Sequence, residues 1–481
     1  MEYRVFRAGL LAVCLSLSFP YDGVCLDGSA AVSKDMEIIS YGSRDDATLE
    51  RESRTDPNAQ AEWGRRLLIR GKHAEAVPFL AKAAEQGILS ALTNYGYLLV
   101  NGLGVAQNVA KARSLFLRAA DLGNATAMNN LGWMYQNGHG SPVDYSAALT
   151  WYRRAAAEGY APGQTSLAYM YENGLGLPRN ATEAAAWYLK AAEQGNAAAQ
   201  NNLGALCLKG DGVNADRAKA LFWFRKAADQ GDAAGQYNLG TLYELGIGVD
   251  ADATKAAMLY ERSALQGHPH AQYALGALHL AAKDSAKAFP WLERAAGKRH
   301  ACALNSLGIL YQNGEGVEAN LTKAAFYYSQ ASEAGLPEAL YNLGFLYENG
   351  LGVRKDAEKA VSLYSRAAEK GNAAAFYALG WLYKDGAGIP CDTRKAVECF
   401  AKAAERGYPL ALTNMGKICE AGFGTERNRA RAYAWYRLAA ESGQEQAAQL
   451  LDELRRGMEP RELTQGEEIF RQMRLRVHKE S

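Results

Sequence analysis

The sequence predicts an all-α, right-handed superhelical solenoid of about eleven αα-hairpin repeats, closed by a C-terminal capping helix. Three observations predict it. First, a glycine, most often preceded by leucine, returns at Gly64, Gly96, Gly132, Gly204, Gly240, Gly276, Gly308, Gly344, Gly380 and Gly416, with Ala168 in its place once. Second, the spacing is 36 residues, except for 32 between Gly64 and Gly96 and between Gly276 and Gly308. Third, a glycine pair and then an Asp or Asn recur at fixed offsets inside the 36-residue units. A period in this range denotes stacked supersecondary units. No single unit can bury its own apolar face, so neighbours complete one continuous core.

The unit from Asn124 to Gly159 shows how each element arises. Ala127, Leu131, Met134 and Tyr135 fall on one face at helical spacing. Gly138 and Gly140 end that helix where a positive φ costs little. Asp144 follows as an N-cap, its carboxylate placed to accept from the free amides of the next helix. Ala148, Trp151, Tyr152, Ala155 and Ala156 form the apolar stripe of the second helix, and Gly159 ends it. The unit is a hairpin.

The same order holds along the chain. Caps corresponding to Asp144 are Asn108, Asn180, Asp216, Asp252, Asn320, Asp356, Asp392 and Asn428. The two 32-residue units lack the glycine pair and carry Pro78 and Pro290 in the second helix. Those helices are expected to start late, leaving each proline near a first turn where its missing N–H matters least. Trp151, Trp187, Trp223, Trp291 and Trp435 occupy the aromatic position of second helices and are expected in the core.

The pattern A-x-x-x-L-G-x-x-Y-x-x-G-x-G-V, followed by D, K-A, W-Y, A-A and G, resembles the Sel-1-like repeat, a relative of the tetratricopeptide repeat. The resemblance covers units starting near residues 56, 88, 124, 160, 196, 232, 268, 300, 336, 372 and 408, through 443. It implies the solenoid fold and a role in binding, in a family that spans extracytoplasmic bacterial proteins and lumenal adaptors of the secretory pathway. Residues 444–475 resemble the closing helices of bacterial members, and 476–481 read as a tail.

The N-terminus reads as a secretory signal over 1–31. Arg4 and Arg7 precede an apolar run from Ala8 to Phe19, and the small residues Gly28, Ser29, Ala30 and Ala31 follow. Neither Cys14 nor Cys25 follows the small residue that lipidation requires. The run is too short to span a bilayer, and no later segment is long and apolar enough. The product is therefore expected in the periplasm or secreted, and not integral to a membrane; the ER lumen is the alternative. Residues 32–55 are polar and lack the repeat, which reads as a flexible spacer.

Composition narrows the function. Lys plus Arg number 53 and Asp plus Glu 52, a balance unlike the basic excess of a nucleic-acid-binding solenoid. Cys207, Cys302, Cys391, Cys399 and Cys419 are not spaced one pair per unit; Cys207, Cys399 and Cys419 stand at aromatic positions of the repeat and read as buried filler, with a Cys399–Cys419 bridge left open. The sequons at Asn124, Asn180 and Asn320 have a simpler reading as helix caps and chance. The glycine pairs lack the continuation of a nucleotide loop. His268 and His270 are the one close histidine pair and read as a surface loop, without a supporting metal motif. Ser-x-x-Lys is absent. No catalytic residue, metal ligand or cofactor is expected.

A binding face is expected on the first helices, which line the concave surface in tetratricopeptide-like stacks. With the repeat glycine as zero, positions −3 and +1 point away from the core set. They carry Tyr97, Trp133, Tyr169, Asn129, Asn201, Tyr237, Tyr273, Asn305, Tyr341, Phe345, Tyr377 and Trp381. Rigid aromatic area is the usual content of a binding hot spot. The alternative is that these rings pack between neighbouring first helices. The expected function is a non-enzymatic scaffold holding a protein or extended peptide, in an envelope-associated or host-interaction role in bacteria. A lumenal adaptor for misfolded proteins and a glycan- or cell-wall-binding protein are the alternatives.

Overall fold

The computed structural model describes residues 41, 43–386 and 388–480, so the signal region lies outside the described residues. These residues form helices and no strand. Eleven hairpins run from Pro57–Ile69 with His73–Glu85 to Pro409–Ala421 with Arg429–Glu441, every helix 13 residues long. Within a hairpin the two helices pack along their length. Within each of the two units described below, the second helix packs on the first helix of the following hairpin, and first helices touch in Pro57–Ile69 with Leu89–Asn101, Ala125–Asn137 with Ala161–Asn173, and Ala197–Lys209 with Ala233–Leu245. The packing divides into two units, with the break between Gln266 and Gly267.

Sequence explains each boundary. The cap carboxylate or amide accepts from the backbone N–H three residues on, as in Asp144 with Ala147 at 2.9 Å and Asp356 with Lys359 at 2.9 Å. The cap's own N–H reaches back to the first helix, Asp144 to the Tyr135 carbonyl and Asp356 to the Tyr347 carbonyl, both 2.9 Å. That bond fixes the loop length. Apart from Pro57–Ile69 and Pro269–Ala281, which end at Arg70 and Ala282, first helices end on a left-handed glycine such as Gly138, φ 71°.

The repeat glycine has a different purpose: it admits a ring. A Cβ on Gly132 would stand 2.5 Å from Tyr152, and one on Gly380 would stand 2.5 Å from Phe400. Tyr152, Tyr188, Phe224, Tyr260, Tyr328, Tyr364, Phe400 and Tyr436 are the buried aromatics of their second helices, each at most 1 % exposed. The expected core tryptophans therefore need correction. Trp435 is buried, but Trp151, Trp187, Trp223 and Trp291 are only half-buried. They stand one residue before the buried position, and Arg154, Lys190 and Arg294 lie over the rings of Trp151, Trp187 and Trp291.

Four other expectations fail locally. Pro78 and Pro290 lie inside their helices, His73–Glu85 and Ser285–Gly297, rather than in a first turn. Part of the expected spacer is helical: Asp45 caps Asp46–Glu52, and Leu49 is fully buried. Asp46 is paired with Arg66 at 2.8 Å and with Arg70 at 2.5 Å. Cys399 and Cys419 are free thiols, so no bridge joins them, and Cys399 is half-buried rather than buried filler. At the C-terminus, Glu445–Arg456 and Pro460–Glu480 cover the last hairpin, and the second of these runs on through the residues expected as a tail. Phe470 is buried, and Tyr433 donates to Glu467 at 2.6 Å.

Candidate binding face

The −3 position separates into two chemistries, both directed at neighbours. Asn129, Asn201 and Asn305 are buried. Each side-chain oxygen accepts from the −2 residue of the next hairpin: from Ser166 at 3.0 Å, Asn238 at 2.8 Å and Asn342 at 3.0 Å. Every such bond spans 37 residues, one repeat plus one. These three were expected on an open face and are instead inter-hairpin ties. A buried amide with its partner in place has no spare acceptor for a ligand at ordinary cost.

The −3 tyrosines are half-buried and lean on the ring beneath them. Tyr237 lies 5.6 Å from Tyr260, Tyr341 5.5 Å from Tyr364, and Tyr377 5.5 Å from Phe400, centroid to centroid. Tyr273 stacks on His300 at 4.8 Å. Burial raises the Tyr237 hydroxyl above its usual pKa. One edge of each ring is therefore committed to packing.

The +1 rings are exposed to the same degree as the −3 tyrosines: Tyr97, Trp133, Tyr169, Phe345 and Trp381 are each partly buried and keep an edge at solvent. Trp133 stacks on His139 at 4.3 Å with planes 19° apart, which sets the indole orientation. Trp381 meets Phe400 edge-on at 5.6 Å, and Lys384 lies over its ring at 4.4 Å. Beside them, Asn101, Asn137 and Asn349 return their amides to the Tyr97, Trp133 and Phe345 carbonyls at 2.9 Å, finishing each helix. Tyr97, Trp133 and Tyr169 belong to the unit before Gly267, Phe345 and Trp381 to the unit after it.

Within several hairpins, a buried tyrosine is tied to its first helix. The buried tyrosines donate to the +4 residue of their first helix: Tyr152 to Gln136 at 2.8 Å, Tyr188 to Glu172 at 2.8 Å, Tyr260 to Glu244 at 2.6 Å. Burial raises the Glu172 carboxyl pKa. Among the described residues no group of three or more His, Cys, Asp or Glu side chains is placed to hold a metal ion. No helix among them is long and apolar enough to cross a membrane.

Comparison with known proteins decides the family. The Sel1 repeat model matches ten consecutive segments: 89–124, 125–160, 161–196, 197–232, 233–268, 269–300, 303–336, 337–372, 373–408 and 409–444. This chain belongs to the Sel1-repeat family. Among solved structures it is similar to a protective antigen present in uropathogenic Escherichia coli strains, at 34% identity. That match has a TM-score of 0.67 and covers 91% of this chain and 96% of the antigen. A Sel1 repeat protein from Oxalobacter formigenes is 29% identical over 70% of this chain and 90% of its own, with a TM-score of 0.36. No curated protein matches. Sel1 solenoids are in general protein-interaction scaffolds and typically not enzymes. The hairpin Pro57–Glu85, outside the matched segments, keeps the repeat's helix lengths but has Leu80 where most repeats have a buried ring.

Proposed function

We propose that this Sel1-repeat protein is an exported, non-enzymatic scaffold that holds an extended polypeptide against its first-helix face. The observation that carries the reading is the set of half-exposed +1 rings, Tyr97, Trp133, Tyr169, Phe345 and Trp381. Core packing consumes the −3 asparagines and one edge of each −3 tyrosine, yet leaves these aromatic surfaces at the solvent boundary. Rings already oriented by a neighbour bind with little loss of side-chain entropy. One-repeat spacing offers anchor points to an extended chain rather than to a compact small molecule.

Export is supported by the order of features in residues 1–31 and by the relative that is a protective antigen. A bacterial, envelope-associated or host-interaction role fits both. A glycosylated lumenal protein fits less well, because Asn124 is buried and Asn124, Asn180 and Asn320 all serve as helix caps.

The test is selection from a displayed random-peptide library on the full chain. Recovered peptides are then titrated by calorimetry against wild type and against Trp133→Ala/Trp381→Ala, matched by circular dichroism. Loss of affinity by tenfold or more in the folded variant supports the face. Peptides that bind both forms equally sink it.

A further inference from the structure

The hairpin Pro269–Ala281 with Ser285–Gly297 keeps the usual aspartate cap on its second helix, Asp284, but departs from its neighbours at its other corners. Where the other first helices have a side-chain cap, it is the oxygen of Asp56, Asn124, Asn196, Asp232 or Asn372, while Ile88, Tyr160, Leu336 and Tyr408 leave theirs without one. Here His268 takes that place, and His300 does so for the next first helix. Each offers an imidazole nitrogen: His268 Nδ1 accepts from the Ala271 N–H at 3.4 Å, and His300 Nδ1 from the Ala303 N–H at 3.3 Å. A ring whose Nδ1 accepts is uncharged and carries its proton on Nε2. His300 Nε2 lies 3.0 Å from His270 Nδ1 and therefore donates to it, so His270 accepts and is also uncharged. Three neutral imidazoles hold two helix starts and each other.

The backbone of the same hairpin is strained. Lys283 and Arg299, both at φ 61°, are the non-glycine residues with positive φ among the described residues. Arg299 stands where other repeats place Gly123, Gly159, Gly195, Gly231, Gly335, Gly371 or Gly407, all left-handed. A side chain in that conformation is costly. Pro290 removes a further amide from the second helix. In a stack whose stability is the sum of repeats and neighbour contacts, such a hairpin opens first.

We propose that the 269–297 hairpin is an acid-released segment: protonation of His268, His270 and His300 removes both caps and their mutual hydrogen bond, and the hairpin opens while Pro337–Asn349 with Ala357–Glu369 stays closed. Protonated Nδ1 would present a hydrogen to a helix N-terminus that already presents its own, and positive charge is disfavoured there. The groups facing the cluster do not relieve this. Lys298 donates to the Gly267 carbonyl at 2.6 Å and adds positive charge at the corner, and Tyr273 stacks on His300. Arg299 reaches Glu333, at 3.8 Å, on the exposed side.

Burial, with His270 and Lys298 nearby, holds His268 down to about 4. Burial, with His270 and His268, holds His300 down to about 3. Both lie below the unfolded value of roughly 6.5, so the stabilisation is full above that pH and is lost as the pH falls towards 4. Each of these two histidines then contributes a loss of about fifteenfold in the closing equilibrium between pH 6.5 and 5.

Hydrogen exchange read by mass spectrometry on the full chain tests this, at pH 7.5 and 5.0 with rates corrected for intrinsic exchange. The expected result is that peptides within 269–300 lose at least tenfold more protection than those within 337–369. In His268→Asn/His270→Ala/His300→Asn, which restores the caps of other repeats, that excess disappears. Arg299→Gly, with the histidines intact, raises protection at both pH values and keeps the difference between them. Equal loss across the two hairpins in wild type overturns the proposal, as does an excess that persists in the triple variant. Should the triple variant fail to fold at pH 7.5 by circular dichroism, the wild-type comparison and Arg299→Gly decide.

Discussion

The ring of Tyr152 lies against the backbone of Gly132, where a Cβ would stand 2.5 Å from Tyr152 Cε1 and 2.6 Å from Cδ1. Position 132 is thus glycine because of a side chain 20 positions away. Neither residue can change alone without moving the other.

Gly132→Ala should therefore lower stability by about 1–2 kcal/mol, and Gly132→Val by more, through overpacking. The smaller change is survivable because Ala168 holds the corresponding place above the buried Tyr188. Urea unfolding followed by far-ultraviolet circular dichroism reads the order; equal midpoints for all three proteins would mean the ring simply steps aside.

Asn201 and Asn238 form the buried tie between successive first helices at 2.8 Å. Asn201→Ala strands the Asn238 amide and should cost about 1–3 kcal/mol. Removing both, in Asn201→Ala/Asn238→Ala, should recover part of that loss. A double-mutant cycle measures the coupling, and simple additivity would show that the tie contributes nothing.

Asp356→Ala removes the acceptor of the Lys359 N–H and should cost about 1 kcal/mol. The loss should appear as faster exchange in the first turn of Ala357–Glu369 rather than across the whole chain. A chain-wide change would assign Asp356 a larger part than capping.

Glu172→Gln should stabilise the protein at neutral pH and leave it little changed in acid. Burial raises the folded carboxyl's pKa, so its contribution is present below the unfolded value and lost as pH rises through the folded one. Glutamine keeps the acceptor for Tyr188 without the charge, as Gln136 and Gln312 do for Tyr152 and Tyr328. Thermal midpoints across pH 4 to 8 check the sign; a variant less stable at pH 7 would contradict it.

Local rules made most of the fold legible in the sequence. Asp144, Asp216, Asp356 and Asn428 cap helices because capping needs only a short side chain and three following residues. What failed needed knowledge of distant neighbours. Trp151 and Tyr152 are adjacent and both aromatic, and helical spacing alone does not say which turns inward. The answer lies in the room above Gly132. Asn129 points away from its own hairpin's core, as position −3 implies, but Ser166 of the next hairpin comes to cover it. Lys283 and Arg299 gave no sequence signal except the missing glycine. Pro78 and Pro290 were displaced by a general preference for first turns that these two short hairpins override. The half-exposed +1 rings were legible as aromatic positions, while their exposure depends on the contacts of a folded stack.

The 37-residue reach of the bonds from Asn238 to Asn201 and from Asn342 to Asn305 also bears on how such a chain evolves. Because each contact is counted from the adjacent hairpin, it matters little at which point along the period a cut is made. Excising or duplicating 36 residues, begun mid-helix or in a loop, rejoins equivalent segments and restores a tie wherever an asparagine at −3 again meets Ser or Asn at −2 of the next hairpin. Misaligned recombination between like stretches of the gene can therefore change the hairpin number without inventing a new junction. The reach of the scaffold would then grow or shrink in discrete steps, with each surviving hairpin keeping its own side chains.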